Sequence, residues 1–422
     1  METSIASPQA VTPEQLKLSR TFDFNLEALR GFAAILVVWH HVLEHQHWLD
    51  PHYIPTGILS FNPPGHLSVV VFFVLSGYVI GRVHPLPLGQ ADIVPYMKKR
   101  LLRIYPIYLV SMALALAVAE ETFPPLTILS NLTMTQTQDD LAPVIFHNNP
   151  AWSLSFELLF YLLFIPLSFF RLSVPLVALA VALVGIVAGT QEYYHFASAI
   201  LGFALWLCGV LIARYLQRPA APSFALMVSM LFLLISLKEF NTLGVLFTKL
   251  SVFLAKPYAI EAGAIQIIDL SYLPYCVLFV VLFAGRDFAY RQHFTALLLL
   301  LPAVAFYKKL HHPDVFQNRA LIIPTCFYIS AVLIYFFRKQ LEQLSSRLIH
   351  RLSSTGAYSY GLYIIHFPII AIFVRIGWFS GTPFTFFVRF VCYVFLCFSA
   401  AYVLEKKFQP WVKQLFLSPK TT

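Results

Sequence analysis

The sequence predicts an all-α fold, a polytopic transmembrane bundle of about 10–12 spans with the N-terminus and C-terminus cytoplasmic. Three observations predict it. Of 422 residues, 59% are apolar and only 12% are charged, about half the charged share of a soluble domain. Mean hydropathy is +0.72, more apolar surface than a water-soluble globule can cover with a polar skin. The apolar runs are continuous and do not alternate in period two, which excludes an outer-membrane barrel. The same figures exclude a soluble enzyme, a disordered chain, a fibre and a disulfide scaffold.

Twelve runs have about the length a bilayer requires. They lie near 30–47, 66–83, 104–120, 152–170, 174–190, 196–213, 223–238, 271–285, 294–307, 320–337, 358–376 and 384–403. The runs at 271–285 and 294–307 are short, and ten and twelve spans both leave the termini on one side. Residues 1–29 are polar and read as a cytoplasmic leader with no signal peptide. Residues 30–404 form the membrane domain, and 405–422 form a basic cytoplasmic tail lying along the inner surface. Placing the N-terminus inside puts 21 Lys and Arg on the inner side and 6 on the outer side, with Arg375 and Arg389 within spans. That asymmetry sets the orientation and accounts for the net charge of +9 without invoking nucleic acid. The outer loops 48–65 and 121–151 carry no Lys or Arg. All five cysteines lie in apolar runs without CxxC spacing, and read as small core residues.

Ionisable groups within a membrane are costly and point to function. In the first run, Arg30 and His41 are separated by eleven helical steps, about 1100° or some 20° net, so they share a face. The rise of about 16 Å puts Arg30 at the inner surface and His41 at or beyond mid-membrane, while His40 turns away. A histidine at that depth is either hydrogen-bonded to water at the outer headgroups or a base. His41, His45 and Glu44, with His40 and His47, include an i,i+4 pair of common metal-ligand spacing. No second cluster completes a coordination sphere, so no metal is expected.

Ser76-Gly77 in the second run allows close approach of another helix. A packing role outweighs a nucleophilic one, since no Gly-x-Ser-x-Gly elbow is present. Arg100 and Arg103 stand one turn apart at the inner surface. Beyond ordinary positive-inside charge, their two planar forks can grip one phosphate group. Glu157, in the run opened by Trp152 and Ser153, is the one acid well inside an apolar segment. It needs a partner, and His41 approaches the same depth, so the two are expected to meet. Ser359, Tyr363 and His366 share a helical face and can line a polar path or pack at the interface.

Five segments in order resemble the acyltransferase-3 family of bacterial membrane acyltransferases. They are Leu29-Arg30-Gly31 with His41; Phe72-Phe73-Val74-Leu75-Ser76-Gly77-Tyr78; Arg100-x-x-Arg103-Ile104-Tyr105-Pro106; Trp152-Ser153-Leu154-Ser155-Phe156-Glu157; and Ser359-Tyr360-x-x-Tyr363-x-x-His366-x-Pro368. The resemblance runs from about residue 25 to 405. It implies an O-acyltransferase of the inner (cytoplasmic) bacterial membrane. The acyl group, usually acetyl, passes from cytoplasmic acyl-CoA to a hydroxyl of a cell-envelope carbohydrate or related acceptor. His41 is implied as the catalytic histidine, and Arg30, Arg100 and Arg103 as residues for donor handling. Acyl-CoA enters as a substrate, and no tightly bound cofactor is implied. Many members carry an acid where this chain has Val69-Val70-Val71, which leaves Glu157 as the candidate partner of His41. Some carry a fused extracytoplasmic domain; here the acyl group goes directly to the acceptor or to a separate extracytoplasmic partner. The rival class, a secondary transporter or flippase, predicts repeat symmetry and broken helices at the midplane. No repeat is visible, although Gly and Pro interrupt the chain around 256–274.

Overall fold

The structure, a computed structural model, describes residues 13–136, 143–253, 263–311 and 321–417. Within them the chain is helical almost throughout. The N-terminal half comprises α1 (Pro13–Glu44), α2 (Gln46–Leu49), α3 (Gly65–Val83), α4 (Gln90–Val118), α5 (Pro125–Leu132), α6 (Trp152–Phe169), α7 (Val174–Thr190), α8 (Tyr194–Tyr215) and α9 (Phe224–Ser236). Then follow α10 (Thr242–Phe253), α11 (Leu273–Phe283), α12 (Arg291–Leu300), α13 (Pro302–Leu310) and α14 (Ile322–Phe336). The C-terminal part comprises α15 (Arg338–Gly356), α16 (Ser359–Val374), α17 (Pro383–Val403) and α18 (Gln409–Leu417). The one sheet among the described residues is a short antiparallel clip, Arg218 opposite Asp287 and Pro219 opposite Arg286.

Every apolar run of the sequence folds as helix. By length and composition, seven helices among the described residues can cross a membrane, or eight if the bent pair α14 and α15 counts as one span. The bend between those two is 118°. Four shorter apolar helices, Val174–Thr190, Phe224–Ser236, Ile267–Phe283 and Ser359–Val374, complete the apolar set. The membrane-length helices number seven or eight among the described residues, and the four shorter apolar helices make up the remaining runs of the expected 10–12. The run near 294–307 lengthens into the membrane-length helix Arg291–Leu310, formed by α12 and α13, and the run near 320–337 folds as α14, bent against α15.

Three boundaries differ from expectation. α1 begins at Pro13, so helix extends through much of the segment read as a leader. The connection carrying Arg100 and Arg103 is helix from Gln90 onward, continuing through Pro95 and Pro106. The segment after residue 404 continues α17 through a π-helical turn, Leu404–Phe408, into α18, and its Glu405 is buried. Residues 1–12 and three cations of the charge count, Lys256, Arg319 and Lys420, lie outside the described residues.

Small residues and caps set the packing. A Cβ on Gly77 would stand 1.8 Å from the Trp206 carbonyl oxygen, and one on Gly209 would stand 1.9 Å from that of Val74. α3 and α8 therefore touch backbone to backbone, the close crossing that Ser76-Gly77 suggested. α9 starts on Glu342 of α15, whose carboxylate accepts the Phe224 and Ala225 N–H groups at 2.7 and 3.0 Å. An acid there meets the positive end of the helix dipole. α16 is buried along nearly its whole length and packs against α1, α4 and α17. It forms the axis around which the polar residues collect.

Candidate active site

A cavity of about 430 Å³ opens among α1, α3, α4, α6 and α16, a size typical of small-molecule sites. At one end it is lined by Glu27, Arg30, Arg100 and Arg103, along its wall by Ser76, Glu157 and Tyr161, and at its deep end by Phe72, Ser153 and Tyr363. The sequence-predicted arginines therefore share one chamber.

Their electrostatic situations differ. Arg30 is paired with Glu27, one turn earlier on α1. Arg103 donates to Glu405 at 3.1 Å and to Gln409 Oε1 at 3.3 Å. Glu405 also accepts the Gly361 N–H at 3.2 Å, so the turn after α17 is tied to both α4 and α16. Arg100 has no carboxylate within ion-pair distance among the described residues. Its Nη2 faces His84 Nε2 at 3.3 Å, and its guanidinium lies over the rings of Tyr96 and Tyr161 at 5.7 and 5.9 Å. Its Nε is buried without a hydrogen-bond partner. Burial, then the neighbouring Arg100 and Lys99, lowers the pKa of His84. Arg100 is thus the cation in the chamber left to be neutralised by something else.

Glu157 accepts a hydrogen bond from Ser76 Oγ at 2.9 Å and another from the Tyr161 hydroxyl. Ser76 in turn accepts from the Trp206 indole N–H at 3.2 Å. These hydroxyls supply the partners a carboxylate within a bundle requires. The expected contact between Glu157 and His41 is not formed, because the partner of His41 is His366: His366 Nε2 lies 2.9 Å from His41 Nδ1.

At the deep end, Ser153 Oγ and the Tyr363 hydroxyl are 2.7 Å apart. Both reach the Pro150 carbonyl, at 3.0 and 3.2 Å. Phe72 stands edge-on to Tyr363 at 5.7 Å. One turn along α16 from Tyr363 lies His366, fully buried, and across from it the partly exposed His41. The chamber thus ends one helical turn short of the histidine pair. Of the expected cavity-lining residues, Ser76, Ser153, Ser359 and Tyr363 do line it. Trp152 and His366 do not: the Trp152 indole packs on Phe73 and Phe156, and His366 sits behind Tyr363 against His41.

Beyond the pair, His40 places Nδ1 2.5 Å from Asn62 Oδ1 and Nε2 3.1 Å from Glu44 Oε2. A Cβ on Gly65 would meet the His40 ring at 2.4 Å. His40 therefore fastens the end of α1 to the following loop. His40, His41 and Glu44 are the one group among the described residues whose His, Cys, Asp or Glu ligand atoms all lie within 4.8 Å of one another. Each of the two imidazoles is already engaged through Nδ1.

Sequence reasoning missed Glu27, Tyr161 and Glu405. The Glu27–Arg30 pair was visible as an i,i+3 spacing. The signal for Glu405 was a lone acid between an apolar helix and the basic Lys406-Lys407.

The acyltransferase domain family matches residues 23–406 of the chain. Over 149 residues the chain is 31% identical to the acyltransferase MdmB of Streptomyces mycarofaciens, covering 33% of this chain and 38% of that protein. Over 94 residues it is 32% identical to protein 2 in the picA locus of Rhizobium radiobacter, covering 22% of this chain and 43% of that one. The chain thus spans less than half the length of the curated relatives it matches. No solved structure matches it.

Proposed function

The chain belongs to the acyltransferase-3 family, and from that premise we propose that it is a multi-pass bacterial inner-membrane O-acyltransferase. It takes an acyl group, acetyl by preference, from acyl-CoA. It passes that group to a hydroxyl of a cell-envelope carbohydrate or related acceptor. The single observation that carries the reading is the arginine-mouthed chamber ending one turn from the His41–His366 pair. An anionic, extended donor fits a site with cations at one end and a reactive histidine past the other.

In this reading the donor phosphates bind at Arg100, and the pantetheine arm runs along the wall of Ser76, Glu157 and Tyr161. The thioester passes the Ser153–Tyr363 contact to reach His41. The acceptor enters from the far end of α1, where His41 is partly exposed. His41 removes the acceptor hydroxyl proton as its oxygen attacks the thioester carbonyl. The C–S bond breaks, and the sulfur leaves with that proton as free CoA. An imidazole is suited to this, because its ordinary pKa lies near neutrality. Glu157 orders Ser76 and Tyr161 and places negative charge on the wall of the chamber. Arg30 and Arg103, each already paired, shape the mouth.

The test is release of free CoA from acetyl-CoA by the purified protein, dependent on an envelope-glycan extract. His41→Ala should abolish release while the protein still inserts and stays monodisperse. Wild-type release from His41→Ala, or acceptor-independent behaviour of the wild type, would overturn the reading.

A further inference from the structure

We propose that His366 is a positioning residue that holds the proton of His41 on Nδ1 and so presents Nε2 as the base. The proposal rests on the acyltransferase reading and adds a second residue and a defined tautomer to it.

A chain of donors and acceptors runs from α16 to His41. His366 Nδ1 lies 3.2 Å from the Leu362 carbonyl oxygen. A carbonyl oxygen only accepts, so the proton of His366 is on Nδ1. His366 is fully buried, and no carboxylate pairs with it among the described residues, so its ring is neutral and carries a single N–H. Its Nε2 is then a lone pair. His41 Nδ1, 2.9 Å away, must donate to it. A neutral His41 with its proton on Nδ1 has a bare Nε2. The opposite assignment would set a lone pair of His366 against the Leu362 carbonyl in a buried site, leaving both unsatisfied.

The surroundings hold this arrangement rigid. Tyr393 donates to the His366 carbonyl at 3.3 Å, which anchors α16 against α17 at that turn. The Phe367 ring stands perpendicular to the His41 imidazole with centroids 5.1 Å apart. His40 and His45, the other ionisable rings facing His41, stand at 5.2 and 6.2 Å. Two groups stand within hydrogen-bond reach of the His41 imidazole, His366 Nε2 and the Val37 carbonyl one turn earlier on α1, and of these His366 is the side chain that substitution can remove. The logic is that of a base whose other nitrogen is held by a buried acceptor, with an imidazole in the place of a carboxylate.

The experiment uses the purified full chain in detergent, with acetyl-CoA as donor, and compares His366→Leu with His366→Gln. Leucine removes the acceptor. Glutamine can bring its amide oxygen near the place Nε2 occupied. His366→Leu should lower kcat roughly 10- to 100-fold with the donor KM within about twofold, because His366 does not line the donor chamber. His366→Gln should recover most of the loss. Separately, iodoacetamide should alkylate wild-type His41 at Nε2, as read by peptide mass spectrometry against synthetic isomers, and should give both isomers in His366→Leu.

A wild-type kcat in a folded His366→Leu, or alkylation of wild-type His41 at Nδ1, would overturn the proposal. If the leucine variant does not fold, the wild-type alkylation position and the glutamine variant still decide. An active His41→Ala would bring down the acyltransferase reading itself. An inactive His41→Ala beside a fully active His366→Leu would remove the positioning role alone.

Discussion

Replacing Arg100 is the sharpest perturbation of the donor end. The sequence presented Arg100 and Arg103 as equivalent forks for one phosphate, but the structure separates them. Arg103 is neutralised by the buried Glu405, whereas Arg100 has only His84 and two aromatic rings around it. A phosphate arriving at Arg100 meets an uncompensated cation and gains a charge-assisted hydrogen bond of about 1.5–3 kcal/mol. Loss of that bond in Arg100→Ala should raise the apparent donor KM roughly ten- to 150-fold. At Arg103 the phosphate must share the guanidinium with Glu405, and the gain falls to that of an exposed pair, about 0–1 kcal/mol or at most about fivefold. Arg100→Lys should recover part of the loss, because ammonium supplies charge without the planar fork. The assay is CoA release against acetyl-CoA concentration for each variant in detergent, at low and high salt. High salt should weaken the wild type and narrow its difference from Arg100→Ala. An unchanged donor KM in Arg100→Ala, or a larger effect from Arg103→Ala than from Arg100→Ala, would refute the reasoning.

Arg103→Ala should act on the fold instead. It strips the guanidinium from a carboxylate whose side chain is 1% exposed, and should cost about 2 kcal/mol. Adding Glu405→Gln should restore much of the melting temperature, and a double variant no better than the single one would show that the pair does not carry this stability. Glu157→Gln keeps an acceptor oxygen for Ser76 and Tyr161, so it should fold normally. With one negative charge gone from the chamber, the donor KM should fall about two- to fivefold, and a clear rise would assign Glu157 another role. His84 and His45, each held below the usual histidine pKa of 6.5 chiefly by burial, bind fewer protons folded than unfolded. Their contribution is complete above about pH 6.5 and is lost as pH falls toward the lowered folded values. The melting temperature should therefore be lower at pH 5.5 than at 7.5, with a smaller difference in His84→Gln. An equal or larger difference in that variant would contradict the assignment.

What the sequence could show was whatever depends on neighbours a few residues apart. Apolar runs gave the helices, i,i+3 spacing gave the shared face of Arg100 and Arg103, and Ser76-Gly77 gave the close crossing of α3 and α8. Span number was less legible, since Val174–Thr190 and Ser359–Val374 are apolar enough but short, and neighbouring helices rather than lipid can satisfy such segments. The partners of the site residues were hidden for another reason. Arg103 finds Glu405 at a separation of 302 residues, and His41 finds His366 at 325. Depth along the bilayer was the only available clue, and it matched His41 with Glu157. Depth does not decide which helix lies across from which. α16 shows the consequence most clearly. Periodicity correctly put Ser359, Tyr363 and His366 near one face, yet α6 and α1 divide that face between them. Tyr363 meets Ser153 of α6 while His366, one turn later, meets His41 of α1. One rigid, buried helix thereby sets both the closed end of the donor chamber and the orientation of the histidine beyond it.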